Sequence, residues 1–305
     1  MKYGYGVDIG GTTAKLALFD GSGQLLAAWE LPAEKSTDGR SFLRKIASAV
    51  LEDLASRGLE KADILGVGVG VPGPVVDGVV SCDNLGWENT PVQAILEAYT
   101  GLPVRVANDA NVAALGESRK NGCKNMVLIT LGTGVGGGIV LNGKILEGVT
   151  GAAGEIGHMV LNRAETAVCG CGKRGCAEQY CSATGIVRLT RQYLEKTDEA
   201  SLLRREEITC KAVFDAAAQG DALAGQVLEQ VYGYLAELIA NVCILLNPER
   251  VLIGGGVSKA GQPLLEGIGR HFDKYIYHAS RNVEISLATL GNGAGAYGAF
   301  CLMLA

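Results

Sequence analysis

The sequence has no long apolar run, no excess of basic charge and no Gly-Lys-Ser/Thr phosphate loop, and each absence removes a class of function. The longest apolar candidate, Leu235–Leu246, is interrupted by Glu237 and Asn241, so it reads as a buried helix and not as a membrane span. Lys and Arg number 27 against 32 Asp and Glu, a formal charge of −5. Nucleic acid and anionic membrane both need a basic face, so neither is expected as a partner. No signal peptide is expected, because Met1 to Val7 carries one lysine and runs directly into a strand-like segment. There are 9 cysteines, an odd number without a secretion signal, which argues for reduced thiols or metal ligands and for a cytoplasmic location.

What the sequence has in plenty is glycine, 44 residues in clusters, within a chain that is 48% apolar and 19% charged. That balance fits a large core. At 305 residues a single core stops growing, so two lobes are expected, with no low-complexity linker between them. The boundaries expected are residues 1–120 for a smaller α/β lobe, with the helix of residues 293–305 packing back on it, and residues 121–292 for a larger α/β lobe that carries a loop at 158–176. Apolar run, glycine turn, apolar run over Tyr3–Asp20 predicts a β-hairpin, and Gln24–Leu31 a third strand. Phe42, Ile46, Val50 and Leu54 predict an amphipathic helix over Ser41–Arg57, and Ile64–Val71 a buried strand, together a βαβ unit. The hairpin pattern returns at Met126–Leu141, a weak internal repeat in which each hairpin opens one lobe. Helices are predicted at 91–99, 110–120, 183–195, 211–219, 222–246 and 293–304, the last rich enough in Gly and Ala to approach another element closely.

Five motifs carry chemistry. Asp8-Ile-Gly10-Gly11-Thr12 and Leu131-Gly-Thr133-Gly134-Val-Gly136 are two hairpin tips whose backbone N–H groups can meet phosphate without Cβ interference. Asp8 can hold Mg²⁺ through water, and Thr12 can donate to phosphate. Gly254-Gly255-Gly256 follows a buried strand and suits either a tight turn or close approach to a nucleotide base and ribose. Asn108-Asp109-Ala-Asn111 opens a helix, where Asp109 is either an N-cap or a general base for a sugar hydroxyl. His158 with Cys169, Cys171 and Cys176 fits a closed, structural Zn²⁺ site. The remaining cysteines, and His271 and His278, have no partner pattern. Asn84, Asn108, Asp109, Glu155, His158 and Glu178 supply polar groups at loops and element ends suited to sugar hydroxyls, and Trp87 suits either the core or a sugar face.

These motifs, with Asn108-Asp-Ala-Asn-Val-Ala-Ala-Leu-Gly-Glu117, Gly154-Glu-Ile-Gly-His158 and Cys169-Gly-Cys-Gly-Lys-Arg-Gly-Cys176, resemble the ROK family (repressors, open reading frames, kinases) from Asp8 to about Gly298. Asn84-Leu-Gly-Trp87, Gly154–Met159 and Ser182–Val187 look most like the bacterial glucokinases of that family. The resemblance implies a two-lobed, actin-like and ribonuclease H-like α/β fold around a cleft, and transfer of phosphate from ATP to a hexose, glucose first. It implies Asp109 as base, and sugar contacts from Gly73, Asn84, Asn108, Asp109, Glu155, His158 and Glu178. Asp8, Gly10, Gly11, Thr12, Thr133, Gly134 and Gly255 would surround ATP and its Mg²⁺, with zinc on His158 and the three cysteines. A homodimer or homotetramer is expected. Two segments depart from the family pattern, Asn162–Val168 and Gln179–Cys181, and both bear on which hexose is accepted: N-acetylmannosamine, N-acetylglucosamine, allose and fructose are the alternatives. A sugar-sensing repressor fits less well, since only 7 residues precede Asp8 and the charge is acidic.

Overall fold

A computed structural model describes residues 2–34, 39–82, 85–204 and 207–304. The chain forms two compact units. The first comprises Met1–Asn125, Gly138–Gly154 and Leu290–Ala305, and the second Met126–Gly137 and Glu155–Thr289.

In the first unit β1 (Tyr3–Ile9), β2 (Thr13–Asp20) and β3 (Leu25–Pro32) form the predicted meander. Helix α1 (Arg40–Ser56) then returns the chain to β4 (Ile64–Val71), which pairs in parallel with β1. The segments β5 (Val75–Val76), β6 (Val79–Cys82) and β7 (Trp87–Thr90) make a small antiparallel sheet that the sequence pattern did not foretell, since its strands are two to four residues long. Helix α2 (Val92–Thr100), β8 (Val104–Asn108) and α3 (Asp109–Asn121) follow. The main sheet has the order β3-β2-β1-β4-β8, with β1, β4 and β8 mutually parallel. The interior strand β4 is buried along nearly its whole length, whereas β3, at the edge, alternates with exposed positions.

The second unit opens with β9 (Met126–Leu131) and the start of β10 (Val135–Leu141), and the chain crosses into the first unit within β10, before β11 (Lys144–Ile145). It re-enters through a loop and the four-residue helix α4 (Glu178–Cys181), then α5 (Ala183–Lys196), α6 (Cys210–Ala218) and α7 (Ala222–Leu246). Strand β12 (Arg250–Gly254), α8 (Gln262–Phe272) and β13 (Glu284–Leu287) complete it, and α9 (Ala294–Cys301) lies in the first unit. The sheet order β11-β10-β9-β12-β13 repeats that of the first sheet: a hairpin, its outer antiparallel strand, and two further parallel strands. The weak sequence repeat is thus a repeat of topology. Helix α7 is long and apolar enough to cross a membrane by composition, but most of it is buried within its unit, from Leu223 to Cys243. Its ends have local causes: Asp221 accepts from the Ala224 N–H at 2.9 Å, and Asn247 closes the helix in the left-handed region.

Helix α9 lies so close to β1, β4 and α3 that only glycine fits between. A Cβ on Gly6 would meet the Ala296 carbonyl at 1.9 Å, one on Gly68 the Ala299 carbonyl at 1.7 Å, and one on Gly298 the Val112 carbonyl at 1.7 Å. Backbone cannot yield as a flexible side chain can. Gly68→Ala is therefore expected to cost about 1–3 kcal/mol or to prevent folding. Gly233, inside α7 with nothing within 4 Å of a built Cβ, gives the opposite sign: Gly233→Ala should stabilise by about 0.5–1 kcal/mol. Urea unfolding of the two variants checks both, and a Gly68→Ala midpoint equal to wild type would show that the helix can withdraw freely.

Candidate functional site

The first unit brings seven of the predicted residues together at the carboxyl edge of its sheet: Asp8, Gly10, Gly11, Thr12, Gly73, Asn108 and Asp109. Asp8 pairs in register with Gly70, and Val71 with Asn108, so β1, β4 and β8 end side by side. In open α/β sheets that edge is where ligands bind. A Cβ on Gly295 would lie 2.3 Å from an Asp8 carboxylate oxygen, so the start of α9 abuts the carboxylate and a side chain at 295 would displace it. The hairpin tip beyond Asp8 is closed by Gly10 N–H donating to Thr13 at 2.8 Å, while Gly11 and Thr12 are exposed.

Of the two roles open to Asp109, the cap belongs to its neighbour. Asn108 Oδ1 accepts from Ala110 N–H at 2.9 Å and Asn111 N–H at 3.2 Å. Asp109 is the first residue of α3, and its Oδ1 accepts from the Ala110 N–H at 2.8 Å. Asn108 Nδ2 donates to the Gly73 carbonyl at 3.1 Å, so one of its N–H bonds remains for a ligand. Gly73 itself is held with φ 90 over the Ser81 carbonyl. Asn84 lies outside the described residues. Trp87 is buried in the core and open to no ligand.

The second unit assembles a complementary set. The tip Gly132–Gly134 is pinned by Ala183 N–H to Gly132 O (2.8 Å) and Thr184 Oγ1 to Thr133 O (2.7 Å). Glu178 Oε2 accepts from Val135 N–H at 3.1 Å, and Oε1 lies 3.8 Å from Cys169 Sγ, so this carboxylate bridges the tip and the cysteine loop. Gly255, past the end of β12 and beside Leu131, has φ 84 and would place a Cβ 2.4 Å from the Leu131 carbonyl, two independent reasons for glycine. Thr133, Gly134 and Gly255 thus share one strand-end edge. Glu155 is exposed at the start of the turn that ends in His158.

His158 Nδ1 lies 3.8 Å from Cys169 Sγ, Cys171 Sγ lies 3.6 Å from Cys176 Sγ, and all four donor atoms lie within 4.8 Å of one another. A tetrahedron with metal–sulfur bonds of about 2.3 Å has edges of about 3.8 Å, so one zinc ion fits this N/S set. Burial and the neighbouring thiols push Cys176 up to about 12, a cost that a coordinated cation removes. The other cysteines are free as well, and His271 is paired with Glu229 at 2.8 Å.

Comparison with known proteins settles the family. The ROK family pattern matches residues 4–305. The chain belongs to the ROK family. It is 45% identical over 304 residues to the glucokinase of Halalkalibacterium halodurans, covering 96% of this chain and 92% of that one. The ROK hexokinase of Thermus thermophilus superposes with a TM-score of 0.83 at 29% identity, covering 98% and 96% of the two chains. The ROK glucokinase of Streptomyces griseus, solved with glucose and AMPPNP, superposes with a TM-score of 0.73 at 34% identity, covering 98% of each. The fold of this ROK protein is accordingly the actin-like α/β fold of those sugar kinases.

Sequence reasoning passed over Lys15 and Gly295. Lys15 is the cross-strand partner of Asp8, and no local pattern reveals a partner on another strand. Burial pushes the Asp8 carboxyl up to about 6, the charge of Asp109 adding and that of Lys15 opposing. Between the ordinary value near 3.8 and about 6 the folded chain binds more protons than the unfolded one, so stability falls as pH rises through that window. Asp8→Asn should therefore be more stable than wild type at neutral pH, and the difference should vanish as pH falls through about 6 towards 4. Urea unfolding across that range checks it; a difference independent of pH would mean that Asp8 carries no such cost.

Proposed function

We propose that this chain is an ATP-dependent hexose kinase of the glucokinase type, which moves the γ-phosphoryl group of ATP to the 6-hydroxyl of glucose. The single observation that carries the reading is the pair Asp8 and Asp109 at the ends of the two strands that flank β4, beside a Gly-Gly-Thr tip, in a chain 45% identical to a glucokinase. Asp109, the first residue of α3 beside the Asn108 cap, accepts the proton of the hydroxyl while the oxygen–phosphorus bond forms and the bond to the β,γ-bridging oxygen breaks. Asp8 and the Gly10–Thr12 tip address the phosphates, and Thr133, Gly134 and Gly255 the nucleotide. Magnesium, carried in with ATP, supplies charge neutralisation at the phosphates. Gly73, Asn84, Asn108, Glu155, His158 and Glu178 hold the sugar hydroxyls. Zinc on His158, Cys169, Cys171 and Cys176 has no open position and is structural. The enzyme acts in the cytoplasm as a homodimer or homotetramer.

Three experiments bear on this. Asp109→Asn keeps the shape of the side chain and removes its basicity, so kcat should fall by at least about 100-fold with hexose affinity largely kept. In the same coupled ADP-release assay glucose should exceed N-acetylglucosamine and N-acetylmannosamine by at least about tenfold in kcat/KM, because an N-acetyl group would leave buried polar groups unpaired at about 1–3 kcal/mol each. A folded Asp109→Asn enzyme turning over near the wild-type rate would remove the base, and an amino sugar as best substrate would change the acceptor. The metal is checked by elemental analysis: one zinc per chain in wild type and none in Cys171→Ser, whose cysteine loop should become protease-sensitive because its folding is tied to the ion. Wild type purified free of metal with an intact loop would contradict the structural role.

A further inference from the structure

The cysteine loop is held by residues that neither belong to the metal set nor address a substrate in the reading above. Tyr180, buried in α4, donates its hydroxyl to Glu165 at 2.6 Å and accepts from Asn162 Nδ2 at 3.1 Å. Its ring stacks on Tyr234 of α7 with centroids 4.2 Å apart, and the Arg188 guanidinium lies 5.2 Å from its centroid. Arg188, from α5, donates to Glu165 Oε2 at 2.9 Å and to the Gln179 carbonyl at 3.0 Å. The other Glu165 oxygen accepts from Thr166 and Ala167 N–H, both at 3.0 Å. Gln179 completes the stitch: its amide oxygen accepts from Gly175 N–H (2.8 Å) and Cys176 N–H (3.1 Å), and its amide nitrogen donates to the Ala167 carbonyl (3.0 Å). Both strands of the loop are thereby fastened to α4, α5 and α7. The residue directly before this stitched pair is Glu178, whose carboxylate lies between the Val135 N–H and Cys169.

Nothing about zinc ligation requires this second set of ties. A metal fixes the four donor atoms but leaves residues 162–167 and the direction of α4 undetermined, and Glu178 takes its position from α4. Glu165 and Tyr180 also lie in the two segments that depart from the family pattern, and the structure makes each the partner of the other. A charge-assisted pair closed by a phenol and a guanidinium holds its geometry more tightly than neutral contacts would. We propose that Glu165, Tyr180 and Arg188 act together as a positioning clamp that sets hexose affinity by fixing where Glu178 stands. This rests on the hexose-kinase reading.

The test uses the full, zinc-loaded chain with Mg-ATP and whichever hexose the wild type prefers. The variants are Tyr180→Phe, Glu165→Gln, their double, Arg188→Lys and Arg188→Ala. Hexose KM should rise about tenfold in each of the first two, with kcat and the ATP KM within about twofold of wild type. The double variant should be hardly worse than either single, because both break one network. Arg188→Lys should stand nearer to wild type than Arg188→Ala, and hydrogen exchange at the Thr166 and Ala167 amides should quicken in Glu165→Gln. Unchanged hexose KM, or hexose and ATP KM rising together with a lowered melting temperature, would overturn the clamp and leave an ordinary structural role. If the wild type phosphorylated no hexose at all, the kinase reading would fall and the clamp with it; if it did so and the variants kept its hexose KM, only the clamp would fall.

Discussion

The arrangement rests on backbone approaching backbone at distances that a single methyl group would forbid. Helix α9 can lie on β1, β4 and α3 only because Gly6, Gly68 and Gly298 present no side chain. That contact determines two things at once. It sets the start of α9 against Asp8, through Gly295, and it presses on the helix whose first residue is Asp109. The second unit uses the same device on a smaller scale, where Gly134 makes room for the Glu178 carboxylate and Gly255 for the end of β9. A kinase must bring phosphates against main-chain N–H groups, and a scaffold built of close glycine contacts is a direct way to expose them.

Electrostatics follow from that packing. Asp8 is buried near a second carboxylate, so its ionised form is costly without a cation. Three cysteine sulfurs and one imidazole nitrogen lie in the other unit within 4.8 Å of one another, and Glu178 touches that cluster while also accepting from the tip at Val135. Each unit therefore carries its own chemical feature, a buried carboxylate in one and a cluster of one nitrogen and three sulfur donors in the other. This is the sense in which the two halves, similar in topology, divide the chemistry between them.

Much of the fold was legible because its signals are local. Apolar runs on either side of a glycine turn mark β1 and β2 at nearly their observed ends, and the helix expected at 222–246 is α7. The Gly and Ala content of residues 293–304 signals close packing, and the structure finds it. What stayed hidden depends on register and long-range pairing. Nothing near Asn108 tells that β8 lies beside β4, which is what sets Asp109 near Asp8. Either residue of Asn108-Asp109 can cap a helix; in the structure Asn108 takes the cap while its amide nitrogen donates to the Gly73 carbonyl. The bond between Tyr180 and Glu165 has no sequence signature, because neither residue has a spacing that points to the other.

In the function proposed above, phosphate passes from ATP to the 6-oxygen of a hexose under the direction of Asp109. Phosphorus–proton correlation NMR of a reaction in Mg-ATP and glucose tests it most directly. A single sugar phosphate should form in step with ADP, its phosphorus coupled to the two protons on carbon 6, and Asp109→Asn should suppress it. ADP released without any sugar phosphate, or a phosphorus coupled to the anomeric proton, would contradict the claim.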